Sequence, residues 1–247
     1  VLLAAVAVSV LVGAFAQRVT GMGFALVASP ALVILLGPFD GVIVVNLCAV
    51  VSSILILPRV WRFIEWGRFG LLVVPALVGT VAGALVAAHV PGAQLQVVIG
   101  VLVIAALTVT LLVTRSERTA RGWPPAVIAG GASGVMNAAA GVGGPALSVY
   151  AVATRWAQSG FAATAQPYFV VIGTASLVLK LGQTGWAVPG LEPGAWPWIV
   201  VALLAGLGLA ELLHRRIPHH AARIAVIAIA YLGGAAALVD GALELWG

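Results

Sequence analysis

Six long runs of apolar residues, at 42–58, 69–88, 95–113, 161–180, 197–213 and 221–239, dominate the chain. Wound as helices at ~1.5 Å per residue, such runs reach about 25–30 Å, the thickness of a bilayer's hydrocarbon core. Their apolarity is continuous. They lack the alternation that a membrane β-strand needs, which excludes a barrel. Two further apolar segments are interrupted by glycine-rich polar clusters: Gln17-Arg18-Val19-Thr20-Gly21-Met22-Gly23 and, 120 residues later, Asn137-Ala138-Ala139-Ala140-Gly141-Val142-Gly143. Backbone that leaves the helix inside hydrocarbon strands N–H and C=O groups at several kcal/mol each, so paired breaks point to a binding site. The apolar stretches after the breaks, Phe24 to Leu36 and Ala146 to Ala153, fall short of the ~20 residues needed to span, which suits re-entrant half-helices.

The two clusters belong to a longer repeat. Placing residue n on residue n+120 pairs Gln17 with Asn137, Gly21 with Gly141, Gly23 with Gly143, Asn46 with Gln166 and Trp66 with Trp186. After a seven-residue insertion, Gly79 pairs with Gly206 and Pro91 with Pro218. The expected fold is therefore an all-α polytopic membrane protein of two inverted repeats, each a broken, re-entrant helical hairpin plus three transmembrane helices. The first repeat covers 1–113 and the second 125–247, joined by a cytoplasmic linker at 114–124. An odd number of crossings per half forces the inversion.

Basic residues give the orientation. Placing Arg59, Arg62 and Arg68 inside also puts inside Arg115, Arg118, Arg121, Arg155, Arg215, Arg216 and Arg223, as cytoplasmic loops require. Both termini then face outward, and the first segment reads as a retained membrane helix rather than a signal peptide. Tryptophans 61, 66, 123, 156, 186, 196, 198 and 246 all fall at segment ends, where indole prefers the headgroup boundary.

Composition agrees: 62% of residues are hydrophobic and 8% charged, too little polar surface to cover a soluble globule. The net charge of +5 is dispersed over loops without interleaved aromatics, which excludes a nucleic-acid surface. The single Cys48 supplies neither a disulfide framework nor a thiolate metal site, and no cofactor is expected. The expected partners are a small anion, the lipid bilayer and, as an option, further copies of the chain.

A half-helix beginning at Gly23 or Gly143 offers unpaired N–H groups and the positive end of its dipole, an anion-binding geometry that glycine permits at close range. Gly144-Pro145 sharpens the second start. Gln17, Asn46, Asn137 and Gln166 would add amide donors, Thr20 and Ser148 hydroxyls, and Arg18 a fixed positive charge unless it pairs with a carboxylate. The candidate substrate site is thus Gln17, Arg18, Thr20, Gly21, Gly23, Asn46, Asn137, Gly141, Gly143, Gly144 and Gln166, with the two tips meeting near mid-membrane. Neutral donors favour release, as a carrier requires. Gly79 with Gly83 and Gly206 with Ala210 read as helix-packing pairs. Glu211, four residues before Arg215, reads as its structural ion-pair partner, and Lys180 as a residue at a span end.

Two other functions fit parts of the pattern. A passive anion channel could use the same neutral donors. Gly131-Ala132-Ser133-Gly134 matches the G-x-S-G signature of rhomboid intramembrane proteases, but His214, His219 and His220 are poorly placed to activate Ser133.

At the tips, Thr20-Gly21-Met22-Gly23-Phe24-Ala25-Leu26 with Pro30 downstream, and Gly141-Val142-Gly143-Gly144-Pro145-Ala146-Leu147, resemble the TauE/SafE sulfite exporter family. The resemblance extends to the Glu65-Trp66 corner and to Gly79-x-x-x-Gly83, and so touches both halves. It implies a multi-pass transporter of sulfite, organosulfonates or related sulfur anions; alternating access around a midplane site is expected by analogy with other inverted repeats. Met22 and Phe24 stand where members of the family often carry consecutive glycines.

Overall fold

The computed structural model describes residues 1–21, 23–114, 120, 122–187, 189–213 and 219–246. Arg115, Glu117, Arg118, Arg121, His214, Arg215, Arg216 and Met22 lie outside the described residues. Among the described residues all regular structure is helical: α1 Leu2–Thr20, α2 Gly23–Leu36, α3 Pro38–Val60 with a 3-10 turn at Trp61–Phe63, α4 Trp66–His89, α5 Gly92–Thr114, α6 Pro124–Ala140, α7 Gly144–Ala153, α8 Gln158–Gln183, α9 Ala195–Leu213 and α10 His219–Trp246. Seven helical stretches, in α1, α3, α4, α5, α8, α9 and α10, are long and apolar enough to cross a membrane. The protein is an all-α, multi-pass membrane protein.

The first break differs from a symmetric re-entrant tip. With 19 residues, α1 is long enough to cross on its own, because the apolar run before Gln17 is continuous. The second arms, α2 and α7, are short, at 14 and 10 residues, and α6, at 17, is not among the seven long stretches. Tryptophans mark helix ends as expected, and Trp61, Trp66, Trp123, Trp186, Trp198 and Trp246 are exposed. Trp156 is the buried exception: its Nε1 donates to Glu65 at 2.6 Å, and the Arg68 guanidinium lies 4.6 Å above its ring.

Packing exchanges helices between the halves: α4 lies along α6, α9 along α1, α5 against α10 and α3 against α8. Small residues let the first two pairs approach closely. A Cβ on Gly79 would strike the Gly131 carbonyl, one on Gly83 the Val135 backbone, and one on Gly206 the Leu11 carbonyl. Gly131 is the repeat counterpart of Leu11, and Gly206 that of Gly79, so one backbone contact is made twice in the same register. At the α3–α8 crossing Val50 meets Gly173, while Asn46 bonds Ser176 at 3.4 Å. That order makes the two helices antiparallel.

Candidate functional site

Both breaks are left-handed glycine turns. Gly21 closes α1 with φ +88° and donates its N–H to the Gln17 carbonyl at 2.7 Å. Gly141 closes α6 with φ +71° and donates to the Asn137 carbonyl at 2.9 Å. A side chain in this conformation costs roughly 1–2 kcal/mol, and neither turn has room for one. The first faces Ala162 of α8, the second Val45 of α3. Gly23 opens α2 directly after the first turn, and Gly144 with Pro145 opens α7 after the second.

A cavity of about 940 Å³ opens beside the first turn, at the end where α3 finishes and α8 begins. Its volume lies in the range of small-molecule sites, roughly 300–1,000 Å³. Gln17, Arg18, Thr20 and Gly21 form one wall; Pro145, Ser148 and Arg155 of the second half, with Gln158 and Gln166 of α8, form another. Leu107, Leu111, Val226 and Ile227 supply an apolar side. Two arginines and no carboxylate occur among the described lining residues, although Glu211 pairs with Arg18 from outside the lining.

The amides predicted as donors are largely occupied. Gln17 accepts from Ser52 Oγ and donates to Ser53 Oγ at 3.1 Å. Gln166 Nε2 donates to the Gly21 carbonyl at 3.1 Å and to the Ala162 carbonyl at 2.9 Å, while its buried Oε1 has no hydrogen-bond partner among the described residues. Thr20 Oγ1 bonds back to the Ala16 carbonyl. These bonds hold the first turn against α3 and α8.

Away from the cavity, the second turn is sealed. Asn46 Oδ1 accepts from Asn137 Nδ2 at 2.9 Å, and Asn46 Nδ2 contacts the Val42 and Asn137 carbonyls and Ser176 Oγ. Gly143 packs on Ser133, whose hydroxyl donates to the Gly143 carbonyl at 2.8 Å, and Ser29 Oγ donates to the Ala140 carbonyl at 2.6 Å. Asn46, Asn137, Gly141, Gly143 and Gly144 are buried and absent from the cavity lining. The structure thus brings Gln17, Arg18, Thr20, Gly21 and Gln166 together at one cavity and places the second set elsewhere.

Arg18 is held by a carboxylate. Glu211 Oε2 lies 2.7 Å from its Nη2 and 2.8 Å from its Nε, with Arg59 Nη1 at 3.2 Å from the same oxygen. The expected partner of Glu211, Arg215, lies outside the described residues; the pairing observed joins α9 to α1 and α3. An i,i+4 rule could not find it, because its partners are 193 and 152 residues away. Arg155 is also new to the site. It sits at φ +53°, the left-handed position of a Schellman turn closing α7, with its N–H on the Val152 carbonyl and that of Trp156 on the Ala151 carbonyl. Glycine is the usual residue there, and an arginine at such a position is a departure from local preference.

The sulfite exporter TauE/SafE family model matches residues 5–237. No curated protein and no solved structure matches the chain. With nearly its whole length matched, the chain belongs to the sulfite exporter TauE/SafE family, and it is a multi-pass membrane transporter rather than an enzyme.

Proposed function

We propose that this protein is a secondary carrier of a small sulfur oxyanion, sulfite or an organosulfonate, that alternates access between the two membrane faces. The observation that carries the reading is the cavity at the first break, whose lining holds Arg18 and Arg155 and no carboxylate. Arg18 is the principal anion ligand, Arg155 and Ser148 complete the site from the second half, and Gly21 lets the chain turn at the cavity wall. The occupied amides position the turn more than they bind the ligand. Because Glu211 already compensates Arg18, the anion meets a tempered positive charge and can leave again.

The antiparallel crossing of the counterpart helices α3 and α8, and the doubled Gly79 and Gly206 contact, support two inverted halves with boundaries near 113 and 125. The positive-inside rule then makes the cavity end cytoplasmic and both described chain ends extracytoplasmic.

Two measurements test the reading. Purified protein heated with sulfite, thiosulfate, sulfoacetate, taurine, sulfate or carboxylates should be stabilised selectively by a sulfur oxyanion; at 100 times Kd the gain is ~2.7 kcal/mol. In preloaded proteoliposomes the same anion should show saturable counterflow. Stabilisation by carboxylates alone refutes the substrate class. Non-saturating currents without counterflow replace the carrier by a channel.

A further inference from the structure

Among the described residues Lys180 is the fully buried basic side chain. It lies in α8, is 0% exposed, and its ammonium has no hydrogen-bond partner among the described residues. The ring of Phe39, at the start of α3, is 4.7 Å from Nζ. An ammonium buried in protein without hydrogen bonds is costly, and buried ionisable residues on membrane-spanning helices mark ligand or ion pathways.

The repeat register says which pathway. Four residues of the open cavity, Gln17, Gly21, Ile56 and Val60, have as n+120 counterparts Asn137, Gly141, Ser176 and Lys180; Gln166 corresponds to Asn46. In this structure those counterparts form a closed, contiguous set. Asn46 bonds both Asn137 and Ser176, and Lys180 stands one turn beyond Ser176 on α8. The arginines of the open cavity have apolar counterparts, Ala138 for Arg18 and Leu35 for Arg155. Lys180 therefore supplies the basic group of the counterpart set, where both arginine positions are apolar. Beyond it, at the opposite end from the large cavity, Asp40 lines a small surface pocket of about 220 Å³ with Leu2, Leu36 and Gly190.

We propose that Asn46, Asn137, Gly141, Ser176 and Lys180 form a second anion station. It is shut in the state seen here and opens toward the opposite face when the first cavity closes, with Lys180 as its cationic ligand. The proposal rests on the alternating-access reading above and extends it to the second break. It also accounts for the split of the predicted site residues: each break belongs to the station of one access state. The buried ammonium waits without a hydrogen-bonding partner because its partner is the transported anion.

The test uses the full chain in proteoliposomes, with methanesulfonate as the anion and a membrane-impermeant methanethiosulfonate reagent, labelling being localised by peptide mapping. In Ile56→Cys, reagent at the cavity face should label, and methanesulfonate should slow labelling at least fivefold. In Ser176→Cys, reagent at the opposite face should label with similar protection. Adding Lys180→Met should leave labelling of Cys at 176 but abolish its protection, and should lower uptake at least tenfold, while protection at Ile56→Cys persists. Lys180→Arg should recover part of the uptake. Lys180→Met should melt no lower than the parent protein, since it removes a buried charge without hydrogen bonds.

Equal protection and uptake with Lys180→Met would overturn the assignment and leave the first station standing. A Lys180→Met protein that melts below its parent would overturn it too, since the lysine would then be structural. Uptake without any opposite-face labelling at 176 removes the second station. Absence of protection at both sites overturns the sulfonate-carrier reading and this proposal with it.

Discussion

On the proposed site, replacing Glu211 by glutamine removes a negative charge that would share Arg18 with the anion while keeping the size and most of the hydrogen bonding of the side chain. In the structure Glu211 Oε2 contacts Nε and Nη2 of Arg18 at 2.8 and 2.7 Å, which occupies one edge of the guanidinium. An anion on the remaining edge would lie ~7 Å from that carboxylate, where two unit charges repel by ~0.6 kcal/mol in water and ~2.4 kcal/mol at an effective dielectric constant of 20. The Glu211 side chain is 41% exposed, so the effective repulsion falls between, at about 1–1.5 kcal/mol. Glu211→Gln should therefore bind sulfite roughly five- to tenfold more tightly. Slower release should accompany the gain, so that counterflow saturates at lower concentration with a smaller maximum. Arg18→Gln moves affinity the opposite way, because the ligand charge itself is lost. Isothermal titration of the detergent-purified proteins at fixed ionic strength reads both. A purely structural ion pair would make Glu211→Gln neutral or weaker in affinity with a lower melting temperature, and that result would refute the reasoning.

Two further outcomes follow from the geometry. Gly79→Val and Gly206→Val each drive a branched side chain into a helix-packing backbone carbonyl, at Gly131 and Leu11 respectively, and should lower the melting temperature in detergent by the equivalent of several kcal/mol; a Tm within 2 °C of the parent, about 0.5–1 kcal/mol, would mean the helices do not approach so closely. Arg155→Gly relieves a left-handed side chain at the end of α7 and should leave the protein as stable or ~1 kcal/mol more so, yet weaken sulfite binding several-fold by isothermal titration; unchanged affinity would remove Arg155 from the site.

The parts of this architecture that were legible in the sequence are those decided by local physics. Continuous apolarity over a bilayer's thickness calls for a spanning helix whatever its neighbours, and the runs beginning at 42, 69, 95, 161 and 197 lie within α3, α4, α5, α8 and α9. Gly21 and Gly141 are the places where a chain can reverse its handedness at small cost, and both adopt positive φ. What the amides bind was not legible, because Gln17 meets Ser52 and Ser53, and Asn46 meets Asn137 and Ser176, only after α3 has been brought against α1, α6 and α8. Glu211 makes the same point from the side of charge. Its pairing with Arg18 and Arg59, 193 and 152 residues away, likewise exists only through tertiary packing.

Lys180 shows what hydropathy alone leaves out: it lies in the last turn of α8, as the linear pattern predicts, but it is fully buried there and Phe39 covers the ammonium. The repeat register recovers part of what linear reading loses. It joins Lys180 to Val60 and Ser176 to Ile56, residues whose surroundings are open in this state, and so turns one static cavity into an expectation about a second. The asymmetry of charge between the two stations then has a mechanical consequence. On the alternating-access proposal, swapping access would exchange an Arg18 held in a 2.7 Å ion pair with Glu211 for a lysine that has no hydrogen-bonded counter-group among the described residues and only the more distant charge of Asp40. Anion binding should therefore shift the population toward the open form of the Lys180 station more strongly than toward the Arg18 station, by the differential affinity of the two.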